Sequence, residues 1–465
     1  MSKRSSKRIW FAVLVAALVL GWSAGAAAGS GPTVRASTGG VVELNAALSH
    51  GYVPIEQSKR IHARLKIRAD EFQAKQRAPM NLALVIDRSG SMRGGKLQQA
   101  KRAAHTLVDR LSEKDRLAVV SYGSSVSVPS DSLAVTPHNQ ERLHRAISSI
   151  GSSGGTNLAG GFSKGRQIAE RHGTEESVDR VILLSDGKAN EGADTPAALG
   201  RLAHQGLGDG ISTTTMGIGL NYDESIMTAM AEQGSGGHYF IENEERIAEV
   251  FRQEFEALAS VVARDTRLIV ELGAGVELLG LKGFSHERRA GKLVVQLGAF
   301  YSEQQKDILM DLAVSSGAQG EREILEAALH FDDVTGEEDR SVHSDATLVA
   351  VGTSEEPKLA EVNDSVMRRV EQLNYAENVQ QATEAFDEGD RKEAKSIIEK
   401  QRKRLEKAGE EYGFSESTVS RKKEELAEMK SKMDRAESSQ STQGKRLMKK
   451  SADQNLELMQ SSEAF

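Results

Sequence analysis

From Asn81 onwards, short apolar runs alternate with longer amphipathic segments, and this alternation limits the fold more than any other feature. The first run, LALVID, reaches Asp87 with no polar residue before it, which is typical of a strand buried on both faces of a sheet. The next segment, 96–111, carries its apolar residues at helical spacing. Further strand-like runs, separated by helical segments, are RLAVVSY at 116–122, VSV at 126–128, DRVILLSDG at 179–187, ISTTTMGIG at 211–219 and GHYFI at 237–241. The pattern predicts an α/β fold with a doubly wound, mostly parallel, Rossmann-like sheet and VSV as an antiparallel edge.

Strand patterns also lie on both sides of this α/β region. Before it, GGVVELNAAL and RIHARLKIRA alternate apolar and polar residues. After it, over 259–356, short apolar runs separated by glycines and charged turns predict an antiparallel β-sandwich. We therefore expect residues 33–78 to supply strands to the sandwich of residues 259–356. The α/β domain, residues 79–258, would then be inserted between two parts of one β domain.

Beyond residue 357 the chain becomes helical in pattern and rich in interleaved acids and bases. Residues 357–437 predict helical hairpins or a short coiled coil, in which a Gly-Asp turn separates two of the helices. Interleaved charge is typical of a solvated helical face, and a specific docking surface is the alternative interpretation. The polar residues 438–465 are expected to form a disordered tail.

The first 28 residues have the pattern of a secretory signal peptide. Four basic residues precede an apolar stretch over 9–20, and a tail of small residues follows. An uncleaved anchor is the alternative interpretation, because the apolar stretch and the alanines after it come close to the ~20 residues that a membrane span requires. We therefore expect an exported protein, periplasmic or secreted, which is held at a membrane only if this segment remains attached.

The composition limits the class of partner. The chain has no cysteine, which excludes disulfides and thiolate chemistry. Removing residues 1–28 takes away four basic residues and no acid, so the net charge falls from −7 to −11. A mildly acidic chain is a poor generic binder of nucleic acid, so nucleic acid is not expected as a partner.

Three polar loops follow strands of the predicted α/β sheet. The first carries Asp87, Ser89 and Ser91, the second opens a helix at Thr156, and the third places Asp186 directly after a strand. Ligand sites of doubly wound sheets lie beyond the carboxyl ends of the strands, so the loops are expected to converge. Two carboxylates and three hydroxyls offer only oxygen ligands, which suit Mg²⁺, Mn²⁺ or Ca²⁺. A helix N-cap would account for the first loop alone but not for the other two.

Other chemistries fit this sequence less well. GSSGG at 151–155 matches the G-x-S-x-G pattern with Ser153 in the nucleophile position, but a helical segment precedes it where that pattern requires a strand. The sequence has no GxxxxGK[ST] phosphate loop, no HExxH and no histidine pair at helical spacing, which argues against a nucleotide or zinc site. We therefore expect no catalytic residue and no organic cofactor.

The three loops together resemble the metal-ion-dependent adhesion site (MIDAS) of a von Willebrand factor A (VWA) domain, whose pattern is DxSxS…T…D. The five positions are matched by Asp87, Ser89, Ser91, Thr156 and Asp186. The resemblance implies that the three hydroxyls contact a divalent cation directly or nearly so, while the two carboxylates hold it largely through water. It also implies that an acidic residue of a partner completes the shell. The layout of the chain is similar to exported bacterial VWA proteins of the calcium-activated-chloride-channel-like type, a label that implies no channel activity here.

The leading hypothesis is a non-enzymatic, metal-dependent protein-binding or adhesion module in the cell envelope. A cation bound at the MIDAS would capture an Asp or Glu carboxylate of a protein partner, and loops around Met92, Asn157 and Lys188 would provide specificity. The alternative is an assembly or chaperone-like subunit of an envelope complex. A hydrolase that uses Ser153 or a metal-activated water is a third hypothesis, which lacks an evident general base.

Overall fold

The computed structural model describes residues 35–36, 41–71, 77–315, 317–335, 340–461 and 465. The predicted leader, residues 1–28, lies outside this part of the chain, so its two alternative roles stay predictions. Across the described residues, none of the helices combines the length and the apolar character that a membrane crossing needs.

The N-terminal segment contributes short and long strands. They are β1 (Arg35–Ala36), β2 (Val42–Leu48), β3 (Tyr52–Pro54) and β4 (Ser58–Ala69). Both β2 and β4 alternate buried residues with more exposed ones, so each strand turns one face towards a core. This is the alternation that the sequence predicts for RIHARLKIRA.

The middle of the chain is the predicted α/β domain. Its strands are β5 (Met80–Asp87), β6 (Arg116–Tyr122), β7 (Val126–Ala134), β8 (Val178–Ser185), β9 (Ile211–Ile218) and β10 (His238–Ile241). Its helices are α1 (Gly95–Arg110), α2 (Pro137–Ser148), α3 (Leu158–His172), α4 (Pro196–Gly208), α5 (Glu224–Gln233) and α6 (Ile247–Ala259). The strand order is β10-β9-β8-β5-β6-β7, and all neighbours are parallel except β6 and β7. The predicted fold class is confirmed, and the antiparallel edge strand is longer than VSV.

Helices cover both faces of this sheet. Every residue of β5 is buried, and alternate residues point to opposite sides. Leu84 packs in a core with residues of α1 and α6, whereas Val85 packs in a second core with residues of α3 and α5. Because both faces are covered, residues 82–86 are all apolar, and the next polar side chain after Asn81 is Asp87 at the carboxyl end of the strand.

The chain then returns to strands, which form a sandwich with the N-terminal segment. They are β11 (Val261–Leu272), β12 (Val276–Lys282), β13 (Glu287–Arg289), β14 (Lys292–Tyr301), β15 (Gln305–Ser315), β16 (Gly320–Asp333) and β17 (Arg340–Thr353). One sheet has the order β1-β2-β4-β15-β12 and the other β13-β14-β11-β16-β17-β3, and their inner faces share one apolar core. The pairs are antiparallel except β3 with β17. The α/β domain is therefore inserted next to a sandwich that both flanks of the chain build.

The C-terminal region is helical. Its helices are α7 (Glu356–Leu359), α8 (Asp364–Asp387), α9 (Arg391–Tyr412), α10 (Glu416–Arg435) and α11 (Thr442–Gln460). The four long helices pack as a bundle, in which α8 and α10 each contact both α9 and α11. A side chain caps the start of each one, namely Asn363, Asp390, Ser415 and Ser441.

The expectation of a disordered tail over 438–465 is wrong, because α11 occupies most of it. Leu447, Leu456 and Leu458 of α11 are buried in the structure, and so are the polar Lys449 and Asn455. A run with few apolar residues has the composition of a solvated tail, but here other elements supply partners for its polar side chains. Sequence periodicity alone does not show such partners.

Candidate metal centre

The candidate site lies at the carboxyl edge of the parallel sheet, where β5 and β8 are neighbours. Asp87 is the last residue of β5, and Asp186 follows the end of β8. Both residues are 0% exposed. Thr156, also buried, lies in the loop that leads into α3, whose N-cap is Asn157. Parallel strands bring the loops of Asp87 and Asp186 to one edge, and the loop between α2 and α3, which carries Thr156, meets them there although it does not follow a strand.

Asp87 braces the first loop through both of its carboxylate oxygens. Its Oδ1 accepts a hydrogen bond from the backbone N–H of Ser89 at 2.8 Å, and its Oδ2 accepts one from the Ser185 hydroxyl at 2.9 Å. Burial raises the pKa of Asp87, the nearby Asp186 adds to this effect, and the hydrogen bonds from Ser89 and Ser185 partly offset it. The carboxylate thus fixes the loop conformation and adds negative charge to the site.

The hydroxyls of Ser89 and Ser91, in the loop after β5, connect this loop to Asp186 after β8. The Oγ atoms of Ser89 and Ser91 are 3.0 Å apart, and Ser91 Oγ donates to Asp186 Oδ1 at 2.7 Å. Ser89 is buried, whereas Ser91 is exposed at the residue level. A continuous row of oxygen atoms therefore runs from the β5 loop to the β8 loop, with Ser91 on its solvent side.

Thr156 joins this group across Gly187. A Cβ atom built on Gly187 would lie 3.6 Å from both Ser91 Oγ and Thr156 Oγ1, so the two hydroxyls flank this glycine. The backbone N–H of Thr156 donates to Asn190 Oδ1 at 2.8 Å, and the Asn190 N–H donates to the Thr156 carbonyl at 3.2 Å. The structure thus brings all five predicted residues together, and their role as metal ligands stays a prediction.

The glycine-rich loop at 151–155 supports the site from the side. Ser153 donates its N–H to the Arg88 carbonyl at 2.7 Å, and Gly90 donates its N–H to the Gly154 carbonyl at 3.1 Å. The loop follows helix α2, as the sequence indicates, and not a strand. Ser153 is exposed, and within the described residues its hydroxyl has no hydrogen bond to a His, Asp or Glu. The loop is a brace for the β5 loop, and its geometry does not favour a nucleophile.

Lys96 is a site residue that the sequence analysis did not identify. It lies in the first turn of α1, and its Nζ is 2.5 Å from Asp186 Oδ2. The ammonium group compensates part of the negative charge that Asp87 and Asp186 bring into a buried place. The sequence does place Lys96 in the helix that begins just after the Asp-x-Ser-x-Ser loop. Sequence spacing does not show, however, that its side chain reaches Asp186 at the end of β8.

The donor set decides which cation the centre suits. Within the described part of the chain, no three His, Cys, Asp or Glu side chains cluster so that they hold a metal ion. A cation here would depend on hydroxyl oxygens together with the two carboxylates, a set that fits hard divalent ions. The ammonium group of Lys96 already places one positive charge beside Asp186.

A family model decides the identity of this domain. Residues 81–253 match the model of the von Willebrand factor type A domain. These residues form a VWA domain. The matched range begins within β5 and ends within α6, so it covers the inserted α/β unit.

Relatives extend the similarity beyond the VWA domain. The chain is 28% identical over 280 residues to an uncharacterized protein of Synechocystis sp., which covers 58% of this chain and 66% of that protein. It is 27% identical over 217 residues to the uncharacterized protein YfbK of Escherichia coli, covering 46% of this chain and 37% of that protein. The chain thus matches under two thirds of the length of these curated relatives.

A solved structure shares the whole architecture. The von Willebrand factor type A protein from Catenulispora acidiphila has a TM-score of 0.67 with 17% sequence identity. The match covers 88% of this chain and 91% of that one. At this identity the similarity shows the fold, in which a VWA domain occurs together with the other parts of the chain.

Proposed function

We propose that this protein is a non-enzymatic, metal-dependent protein-binding module of the cell envelope, and that its VWA domain carries a complete MIDAS. The observation that carries the proposal is the convergence of the three loops, in which Ser91 Oγ lies 3.0 Å from Ser89 Oγ and 2.7 Å from Asp186 Oδ1. The proposed cation is Mg²⁺, with Mn²⁺ and Ca²⁺ as alternatives, and the proposed partner is a protein that supplies an Asp or Glu carboxylate.

Each of the five residues has its own role in this proposal. The hydroxyls of Ser89, Ser91 and Thr156 would hold the cation. Because these oxygens are neutral, much of the charge of the cation would remain uncompensated. Asp87 orients the first loop through its hydrogen bonds to Ser89 and Ser185. Asp186 would hold the cation from the β8 side. When bound, the cation supplies the positive charge that a carboxylate of the partner needs.

The fit of a cation to this place rests on charge as well as on donor type. Two carboxylates that are fully buried need a positive counterpart, because an uncompensated buried charge is costly. Lys96 supplies one positive charge to Asp186. With Asp87 and Asp186 both ionised, the group still has one negative charge more than Lys96 balances, which supports the binding of a divalent ion.

The direct test is a calorimetric titration with Mg²⁺, repeated with Mn²⁺ and Ca²⁺, on the wild type and two variants. Asp87→Ala removes the brace of the loop, and Ser91→Ala removes one hydroxyl with little change of shape. Both are expected to abolish or strongly weaken cation binding while circular dichroism stays unchanged. Asp109→Ala, a change of an exposed carboxylate on α1, is the matched control and is expected to bind like the wild type.

Partner binding is tested with the same proteins. Immobilised wild type and Asp109→Ala are expected to retain a protein from envelope extracts in Mg²⁺ and to release it in EDTA. Asp87→Ala and Ser91→Ala are expected to retain none. Equal retention in Mg²⁺ and EDTA would show that the partner does not bind through a cation.

Export is tested by fluorescence of the natural product. The two tryptophans of the chain are Trp10 and Trp22, and both lie in the predicted leader. A protein that is cleaved near residue 28 is expected to show tyrosine emission without tryptophan emission, and its intact mass should match the shortened chain. Tryptophan emission from the protein recovered outside the cytoplasm would indicate an uncleaved anchor.

A further inference from the structure

Helix α11 docks on the VWA domain with one charged face. The residues of this face, spaced so that they lie on the same side of the helix, are Lys445, Arg446, Lys449 and Asp453. They contact the loop between β9 and α5 and the strand β10 with the turn after it. These segments lie at the carboxyl ends of β9 and β10, which is the edge of the sheet that carries the candidate site.

Lys449 is the centre of this contact and is 3% exposed. Its Nζ donates to the Tyr222 carbonyl at 3.0 Å, lies 3.5 Å from Glu224 Oε2 and stands 3.5 Å from the centroid of the Tyr222 ring. A buried lysine with an ion pair, a carbonyl and an aromatic ring around it is a specific contact and not a solvated charge. The docking is therefore built into the fold.

The neighbouring residues of α11 secure the same region. Lys445 Nζ donates to Asn221 Oδ1 at 2.9 Å, and Arg446 Nε lies 2.7 Å from Glu242 Oε1. Asp453 accepts a hydrogen bond from the backbone of Phe240. Lys445 and Lys449 thus hold the β9–α5 loop, while Arg446 and Asp453 hold β10 and the turn after it.

The inner side of that loop faces the candidate site. Gly219 follows β9 with φ +75°, and a Cβ atom built on it would lie 3.7 Å from Lys96 Nζ. Lys96 in turn contacts Asp186. Only Leu220 separates the glycine against Lys96 from Asn221, which Lys445 holds. One short loop thus lies between the docked helix and the cationic side chain of the site.

We propose that α11 is a latch for the cation site: docking of α11 and occupation of the site by a divalent cation oppose each other through the loop of residues 219–222 and Lys96. This inference rests on the proposed function. With a divalent ion bound beside Asp186, the Lys96 ammonium would be repelled and would press on the loop at Gly219, which it already faces. Because α11 holds that loop at Asn221 and Tyr222, cation binding would loosen α11. By linkage, loosening α11 strengthens cation binding by the same factor.

Hydrogen exchange on the wild-type chain tests the latch directly. Exchange is followed by mass spectrometry in saturating Mg²⁺ and in EDTA. A cation that only stabilises the fold slows exchange in every segment whose opening releases it. The latch instead predicts opposite signs: peptides from 442–460 exchange faster in Mg²⁺, while peptides around 81–91 exchange more slowly. Slower or unchanged exchange over 442–460, with Mg²⁺ bound, overturns the latch.

Variants test the reciprocal effect by titration with Mg²⁺ alone. Lys445→Ala and Lys449→Met weaken docking and are expected to bind Mg²⁺ about fivefold tighter than the wild type, at the lower end of usual coupling between sites. Lys430→Met is the matched control, because the described side-chain contact of Lys430 is with Glu399 inside the bundle, 2.6 Å away. If all variants bind like the wild type, the latch is wrong and the MIDAS proposal stands. If the wild type binds no divalent cation, both fall.

Discussion

Lys96 lies outside the five-residue motif and changes the charge beside it. The five predicted side chains supply oxygen atoms, whereas Lys96 places a positive charge 2.5 Å from Asp186 Oδ2. An ammonium group beside a carboxylate competes with any other cation for the same negative charge. In the proposed cation site, Lys96 would therefore weaken the attraction for a divalent ion.

We expect Lys96→Met to bind Mg²⁺ more tightly, by about tenfold, because one positive charge next to the site is removed while the side-chain length is kept. Calorimetric titration with Mg²⁺ measures the change. Lys101→Met on the same helix is the control, since Lys101 donates to the Ser148 carbonyl and not to the site. Weaker Mg²⁺ binding in Lys96→Met would show that Lys96 orients Asp186 instead of competing.

At the scale of elements, a buried polar network ties the VWA domain to the sandwich. Arg180 of β8 is 0% exposed and donates to Thr214 of β9 at 2.7 Å and to the Tyr301 hydroxyl of β14 at 2.6 Å. It also lies 3.3 Å from Glu254 of α6, which accepts a hydrogen bond from Tyr239 at 3.0 Å. One guanidinium thus connects two strands and a helix of the VWA domain with a strand of the sandwich.

Arg180→Met is expected to lower the free energy of unfolding by about 3–5 kcal/mol, because it leaves Glu254 as a buried charge without its cation. The double variant Arg180→Met/Glu254→Leu is expected to recover a large part of this loss, since no charge then remains. Denaturation with urea measures both. Arg252→Met, which breaks two exposed pairs on α6, is the control and is expected to change stability little. A double variant as unstable as the single one would contradict the argument.

At the scale of the whole molecule, the insertion creates an interface that holds a lysine without a carboxylate partner among its described contacts. Lys306 of β15 is 4% exposed, and its Nζ donates to Ser235 Oγ at 2.9 Å and to the Leu297 carbonyl. It also lies 4.8 Å from the centroid of the Phe300 ring. Burial, together with the charge of Arg180, lowers the pKa of Lys306 from 10.5 to about 7.

This shift predicts a pH dependence of stability. Between pH 7 and 10.5 the unfolded state binds more protons at this residue than the folded state, so its cost to stability is full below pH 7 and falls as the pH rises. We expect Lys306→Met to raise the Tm at pH 6 and this gain to shrink by pH 10. Thermal melts at pH 6, 8 and 10 measure it, with Lys66→Met on β4 as the control. A gain that is the same at all three values would contradict the assignment to Lys306.

The sequence by itself determined most strands of the α/β domain and of the sandwich, and the edge at which Asp87 and Asp186 lie. Apolar periodicity is a local property, so it identified the strands of the α/β domain and of the sandwich. Parallel strands end at a common edge, so their order was enough to bring Asp87 and Asp186 together, whereas the loop of Thr156 follows helix α2 and reaches the site through packing.

Only the tertiary structure decided the long-range partners of polar side chains. The reach of Lys96 to Asp186, the place of Arg180 between two domains and the docking of α11 on the VWA domain through Lys449 all depend on elements far apart in the chain. The same is true of α11 itself, which has the composition of a tail and is ordered by its contacts. A polar residue is buried when another element satisfies it, and that element is set by packing and not by the pattern around the residue.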